Sequence, residues 1–568
     1  MPSQSRWSVP IPRTSLSSYI FTSPTVELSR APLYIDTDRP ETDFLSLHTY
    51  REWSKRFAAG LLTAGLQPGD RVLLCSTNSV LFPVVVMGVI MAGGIYTSGN
   101  PSFLPRELTH QLKDSGAKFL LTIEASLAVA LEAASFAGMP HDKIFIFDNA
   151  PLNNIKGTDK KGIRHWDHLI ASPEVGRRFA WKECVTIEET NQTVVLNYSS
   201  GTTGLPKGVE STHYNYIANC AQVIHQLSLD PLFSTPEAVA RKSRWLCAIP
   251  LYHGFAQIQF GTVAAKRVVP TYIMRKYNYK EMIKNIERFK ISELTLVPPI
   301  VVTMANDPNL FHGEARLNSV VRVFCGAAPL SRDISKKLEK IWPSGKVNVK
   351  QGCGMSETTC MILGWDPRLH STSASVGELL ANCEGKLMDD EGLKEVPLGQ
   401  KGELWCRAPN VMKGYWKNPE ETKETITEDG WLKTGDILYI DEQGMYHIVD
   451  RKKEMIKVGG VQVAPAELEA LLHEHPHVLD VAVIGVRSQE NGDEKPRAYI
   501  VLKSHVSASQ NAIISFVSSR CSKPKRITGG VAFVDQIPKT AAGKILRKLL
   551  RKRAEAELKS GTQKAARL

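Results

Sequence analysis

Short apolar runs recur along the first two-thirds of the chain, and most are followed by a segment of helical period. Val72–Cys75, Phe119–Thr122, Lys143–Phe147, Val194–Tyr198, Trp245–Ile249, Glu293–Val297 and Val321–Cys325 read as buried strands. Thr49–Gly65 shows the helical counterpart. Trp53, Phe57 and Leu61 fall on one face, and Gly65 stops the segment. Such alternation pairs strands in parallel and covers both sheet faces with helices, so an α/β fold with more than one sheet is expected. The texture changes after about residue 375. Glu403–Arg407 and Met445–Val449 read as strands between Gly- and Asp-rich turns. From about Asp450 a smaller α+β unit is predicted. It holds a helix at Ala464–His473, strands at Val478–Val486 and Arg497–Leu502, a helix near Ala508–Ser519 and a last helix from Gly543.

Composition narrows the function classes. The chain has 568 residues, 43% hydrophobic and 23% charged, which excludes a disordered or fibrous protein. The net charge is +12, but ten Lys/Arg against two Glu in residues 539–568 carry +8 of it. Basicity confined to one segment argues against a nucleic-acid surface. The ten cysteines are scattered without a CxxC pair, so reduced thiols are expected rather than disulfides or a zinc site. Val80–Tyr96 is apolar for 17 residues but contains Pro83, Gly93 and Gly94. It reads as a buried helix between two strands, not a membrane span. The N-terminus lacks the apolar core of a secretory signal, and Pro2, Pro10 and Pro12 disfavour a transit helix.

The chemistry begins after the Val194–Tyr198 strand. Ser199, Ser200, Gly201, Thr202, Thr203 and Gly204 are followed by Leu205, Pro206 and Lys207. Glycines let backbone N–H groups approach an anion, hydroxyls add donors, and the lysine adds a positive charge. That is a cradle for a polyphosphate. It is not a Walker A loop, because Gly208 stands where Ser or Thr would follow the lysine.

This string resembles the signature loop of the acyl-adenylate-forming enzymes, which include acyl-CoA synthetases and 4-coumarate–CoA ligases. The similarity extends over about residues 45–555, and further segments follow in family order. Pro250–Phe255 resembles the gate of the acyl pocket, with His253 at its centre. Gly326, Ala327 and Ala328 open a turn that resembles the one lining the acyl and adenine sites. Gln351, Gly352, Cys353, Gly354, Met355 and Ser356 resemble the adenine-binding strand and loop. The resemblance implies that Glu357, with Thr203, holds Mg²⁺ on the ATP phosphates. It implies that Asp436 and Arg451 bind the ribose and that Lys453 is a hinge. Lys544 is the implied catalytic lysine, alongside His253, Lys457 and Gln462. Gly459 and Gly460 are the implied coenzyme A face. The implied acyl pocket comprises His253, Gly254, Phe255, Met304, Ala305, Gly326, Gly352, Cys360 and Met361.

The implied architecture has two parts. Residues 1–450 would form a large domain of doubly wound α/β subdomains with a small β subdomain. Residues 451–568 would form a small mobile α+β domain. The implied activity is ATP-dependent ligation of a carboxylic acid to coenzyme A through an acyl-adenylate, with Mg²⁺ as cofactor. Small residues at 254, 305 and 326 leave room for a medium-chain or aryl acid, as in specialised metabolism. Amino-acid activation is disfavoured, because Gly254–Ala256 lacks an acid to pair with an amine. Delivery to a carrier protein or another nucleophile is the alternative. An inactive binding homologue would be expected to lose Lys544, Glu357 or Asp436, and all three are present. Two positions depart from the family pattern. Cys353 replaces a Tyr that stacks on adenine, so weaker ATP binding is expected. Gly459 replaces the Lys of related plant ligases. The terminal Ala566, Arg567 and Leu568 match the small–basic–Leu peroxisomal address, so a peroxisomal import receptor is an expected partner; otherwise the protein would be cytoplasmic. No nucleic acid and no membrane span are expected.

Overall fold

Ser46 ends one strand and starts the first long helix. Its hydroxyl accepts from the Thr49 N–H at 3.1 Å, and Thr49 Oγ1 accepts from the Ser46 N–H at 2.8 Å. This reciprocal cap starts the Leu47–Thr63 helix two residues before the periodicity alone predicts. The apolar run from Val80 divides in three. Phe82–Met91 is a buried helix with Pro83 in its first turn, Gly93 turns at φ +76°, and Ile95–Gly99 is a fully buried strand. No helix among the described residues is long and apolar enough to cross a membrane.

The computed structural model describes residues 3–148, 155–199, 205–311, 317–458, 461–487, 494–521, 523–540 and 543–565, without the side chains of 461, 462 and 558–565. Ser200, Gly201, Thr202, Thr203, Gly204, Gly459, Gly460 and the terminal Ala566, Arg567 and Leu568 thus lie outside the described residues.

Two α/β sheets dominate. One has eight strands, with Arg71–Cys75 between Ile95–Gly99 and Phe119–Thr122, all parallel, and the Thr193–Ser199 and Lys207–Thr212 hairpin towards one edge. The other has seven strands and pairs Trp245–Cys247, Glu293–Leu296, Arg322–Cys325 and Val349–Gln351 in parallel. A five-stranded antiparallel sheet follows, built mainly from Glu384–Met388, Gly402–Arg407, Leu432–Ile440 and Tyr446–Arg451. One apolar cluster spans Leu16 to Tyr446. Separate clusters lie within 456–531 and 482–554, around the Val478–Arg487, Glu494–Leu502 and Val531–Phe533 strands. This is the expected α/β architecture with a small α+β C-terminal domain.

One expectation fails at the end of the chain. The last helix begins at Arg547, not Gly543. Thr540 and Lys544 exchange hydrogen bonds across a turn, and Gly543 at φ +84° stands in the left-handed region, so the segment before Arg547 cannot be helical. All ten cysteines are unpaired, and nine are buried.

Candidate active site

Most of the candidate residues follow the C-terminal ends of strands in the two large sheets, where open α/β folds place their ligands. The Thr193–Ser199 strand returns as Lys207–Thr212, with Lys207 opposite Ser199 and Gly208 opposite Tyr198. The base of this loop is held firmly. Tyr198 Oη donates to Asp114 Oδ2 at 2.6 Å, and His110 Nε2 lies 2.8 Å from the Pro206 carbonyl. Lys207 forms an ion pair with Glu421 and stands 5.3 Å over the Tyr415 ring. Neither partner was legible in the sequence around the loop, because both lie some two hundred residues downstream.

The Arg322–Cys325 strand leads into the turn that opens with Gly326, Ala327 and Ala328. Ala327 adopts φ +73°, a strained conformation for a residue with a Cβ. Gln351 clamps this turn. Its Oε1 accepts from the Leu330 N–H at 2.8 Å, and its Nε2 donates to the Leu330 carbonyl at 2.9 Å. Gln351 therefore reaches the site as a brace with its amide already engaged. Close packing dictates two glycines here. A Cβ on Gly352 would meet Phe324 Cζ at 2.4 Å, and one on Gly354 would meet the Cys360 carbonyl at 1.6 Å. Cys353 is buried between them, near the charges of Asp436 and Arg451. Met355 and half-exposed Ser356 lead into a single helical turn, and Glu357 is buried within it. Glu357 Oε1 accepts from Tyr415 Oη at 2.9 Å.

Asp436 and Arg451 are cross-strand partners, and Arg451 Nε is 2.5 Å from Asp436 Oδ1. Burial raises the Asp436 carboxyl, opposed by Arg451 and then Lys544, while Asp436 holds the Arg451 guanidinium charged. Lys453 is exposed in the turn that leaves this strand. Lys544 comes back to the same place from the far end of the chain. Its loop rests on the large domain, where a Cβ on Gly543 would stand 2.5 Å from Pro299 Cδ. Desolvation lowers the Lys544 pKa, then Arg451 does, against the pull of Asp436, Glu454 and Glu357. His253 is solvent-accessible but sits in a concave surface dense with protein. That desolvation, and then the Lys544 ammonium, lower its pKa. His253, Glu357, Asp436, Arg451 and Lys544 thus form one electrostatic group.

Lys457 and Gln462 stand elsewhere. They are cross-strand partners in a two-stranded ribbon, and Lys457 is exposed and is not among the main groups that set the charge of Lys544 or His253.

The gate segment is built on a short helix at Gly254–Ala256. His253 caps it, with Nδ1 accepting from the Phe255 N–H at 3.4 Å. It continues as a π-helical stretch, Gln257–Val263, a widened form that is frequent at functional sites. Phe255 packs on Phe324 with ring centroids 6.2 Å apart, and a Cβ on Gly326 would stand 3.1 Å from Phe255. A Cβ on Gly254 would meet Asn197 Nδ2 at 3.4 Å and the Thr359 carbonyl at 3.5 Å. Cys360 and Met361 are buried beside them, whereas Met304 and Ala305 are fully enclosed and back the site from the core. Sequence reasoning missed a buried network in which Asn197 Nδ2 and Tyr216 Oη both donate to Gln257 Oε1, at 3.2 and 2.9 Å. Its signal was a glutamine, Gln257, next to apolar Phe255, Ala256 and Ile258.

No cluster of three or more His, Cys, Asp or Glu able to hold a metal occurs among the described residues. Glu357 alone is a single hard oxygen donor. That donor set fits Mg²⁺, which takes most of its shell from phosphates and water.

Comparison with known proteins identifies the family. Residues 30–416 match the model of the AMP-binding enzymes, and residues 467–544 match the AMP-binding enzyme C-terminal domain. The phenylacetyl-CoA ligase epaB of Aspergillus niger is 34% identical over 557 residues, covering 98% of this chain and 99% of that protein. The peroxisomal OPC-8:0-CoA ligase 1 of Arabidopsis thaliana is 36% identical over 496 residues, covering 87% of this chain and 86% of that protein. The anthranilate CoA ligase AuaEII, solved in complex with anthranoyl-AMP, has the same fold, with a TM-score of 0.79, 22% identity and coverage of 96% and 98%. The chain belongs to the AMP-binding enzymes, the acyl-adenylate-forming superfamily.

Proposed function

We propose that the protein is an ATP-dependent carboxylic acid–CoA ligase. The observation that carries this reading is the charge environment that Lys544 shares with Asp436, Arg451, Glu357 and His253, on a loop packed against Pro299. The carboxylate oxygen attacks the α-phosphorus of ATP, and the bond to pyrophosphate breaks. Both reactants are anionic, so the site must supply positive charge where negative charge develops. Lys544 lies between the acid and the α-phosphate in this scheme, and Lys207 faces the departing phosphates. Asp436 and Arg451 hold the ribose, with Ser356 near the α-phosphate and Cys353 against adenine. Mg²⁺ held by Glu357 and Thr203 would neutralise phosphate charge.

In the second step the small domain, which begins at residue 451 in this reading, turns about Lys453. Lys544 then withdraws, and the Lys457–Gln462 ribbon brings Gly459 and Gly460 to the tunnel for coenzyme A. The thiol attacks the acyl carbon, and AMP leaves. The acid is a medium-chain or aryl acid, a choice supported by the small residue Gly254 at the gate, where a Cβ would meet nothing closer than 3.4 Å. The terminal Ala566, Arg567 and Leu568 would direct the protein to peroxisomes through the import receptor.

The test is incubation with ATP, Mg²⁺, coenzyme A and pooled aryl, medium-chain and branched acids, with products identified by mass spectrometry. An acyl-CoA with stoichiometric AMP is expected. Acyl-adenylate without thioester would overturn coenzyme A as the acceptor and leave delivery to another nucleophile.

A further inference from the structure

Behind the gate segment lies a second chamber. It is a cavity of ≈ 60 Å³ between the His213–Ser228 helix, the π-helical stretch and the strands of the seven-stranded sheet. Phe324 lines it and also packs on Phe255, and Met361, a candidate acyl-pocket residue, lines it too. The chamber therefore adjoins the candidate acyl pocket. Its volume exceeds what one water needs.

The polar groups of its wall fall into two classes. Arg322 and Glu293 are ion-paired, whereas Lys350 has only a neutral carbonyl as partner among the described residues. Arg322 binds Glu293 at 2.8 Å and Asp230 at 2.6 Å, Ser243 donates to Glu293, and Lys350 Nζ donates to the Pro367 carbonyl at 2.6 Å. Burial, and then Arg322, lower Lys350 to about 8. The amides of Gln226 and Gln259 are different. Neither makes a side-chain hydrogen bond among the described residues, and Gln259 is only 8% exposed. Neither amide is among the buried polar groups left unsatisfied, and Gln226 is half-exposed, so both are open to the cavity and available to a bound hydrogen-bonding group.

We propose that this chamber receives the far end of the acid, and that Gln226 and Gln259 select a hydrogen-bonding group there: a hydroxyl, carbonyl or amide. This inference rests on the acid–CoA ligase reading and names its substrate class.

The test uses isosteric pairs in which only the tip changes: para-methyl against para-hydroxy phenylpropanoic acid, and nonanoic acid against its terminal-hydroxyl isostere. For at least one pair the hydroxyl acid is expected to show at least tenfold higher kcat/KM, since a site with unpaired polar groups rejects the apolar analogue. Gln259→Leu should remove that preference while leaving kcat/KM for the methyl acid within about threefold. Gln226→Leu provides a second, independent variant, and thermal unfolding checks that each is folded. Equal or better use of the methyl acid in every pair would overturn the proposal, as would a preference that survives both variants. Titration calorimetry of the same acids into the protein separates the two readings. A hydroxyl preference in binding without any thioester would keep the chamber and reject the ligase. No preference in binding or turnover would reject the chamber alone if thioester forms.

Discussion

At the scale of single residues, two side chains set the expected strength of ATP binding. Cys353 is buried against the Asp436–Arg451 pair, where an aromatic ring would stack on adenine. An aromatic stack contributes roughly 0.5–1.5 kcal/mol, so Cys353→Tyr should lower the KM for ATP by about two- to tenfold. Steady-state kinetics at saturating acid measures this, and an unchanged KM refutes the stacking argument. Lys207 is held by Glu421 before any phosphate arrives, and the two are 28% and 30% exposed. A pair this accessible contributes at most about 1 kcal/mol, so Glu421→Gln should tighten ATP by up to roughly fivefold. The gain should shrink as salt is raised from low ionic strength. A weaker ATP affinity in Glu421→Gln would mean that the carboxylate positions the lysine instead of competing for it. Lys207 itself was legible from the Gly/Ser/Thr string beside it. Glu421 was not, because nothing local marks an acidic helix residue as the partner of a distant loop.

At the scale of elements, the loop that carries Lys544 is the most informative. Gly543 has φ +84°, and a Cβ there would press on Pro299. A left-handed residue with a Cβ costs roughly 1–2 kcal/mol, before any contact with Pro299. Gly543→Ala should slow adenylation about tenfold, measured by pyrophosphate release. Thioester formation from supplied acyl-adenylate should be nearly untouched, since in the proposed cycle the loop leaves the site for that step. Lys544→Ala should show the same split more strongly, roughly a hundredfold or more on the first step. Equal loss in both half-reactions would reject a two-position cycle. The loop also explains why its secondary structure was misread. Apolar and basic residues after Gly543 carry a helical pattern, but Thr540–Lys544 hydrogen bonds close a turn first. The strands were read more faithfully. Phe119–Thr122 stands as predicted, because four consecutive apolar or β-branched residues fit only a buried parallel strand.

At the scale of the whole molecule, His213 ties an N-terminal helix to the main body. Its Nδ1 accepts from the Leu16 N–H at 3.0 Å, which only a neutral ring can do. Burial lowers its pKa from 6.5 to about 4. The unfolded chain binds the proton near pH 6.5 and the folded one only near 4, so the unfolded state holds more protons between them. Stability from this group is therefore complete above 6.5 and is lost as pH falls through that window, by up to about 3 kcal/mol. Thermal unfolding at pH 7 and pH 5 should show a smaller acid-induced drop in Tm for His213→Asn than for the parent protein. An identical drop would show that the acid sensitivity arises elsewhere.

The amino-acid sequence by itself determined the α/β class, the positions of most strands and the ordered motifs from Ser199 to Lys544. Periodicity, glycine spacing and residue chemistry act over a few neighbours, and those are written locally. Only the tertiary structure decided which distant groups share a charge environment. It brought Lys544 beside His253 and Asp436, paired Lys207 with Glu421, spent the Gln351 amide on Leu330 and left Gln226 and Gln259 unpaired in one cavity. Such pairings depend on how helices and sheets pack through space, and electrostatic and hydrogen-bond energies depend on that distance, not on separation along the chain.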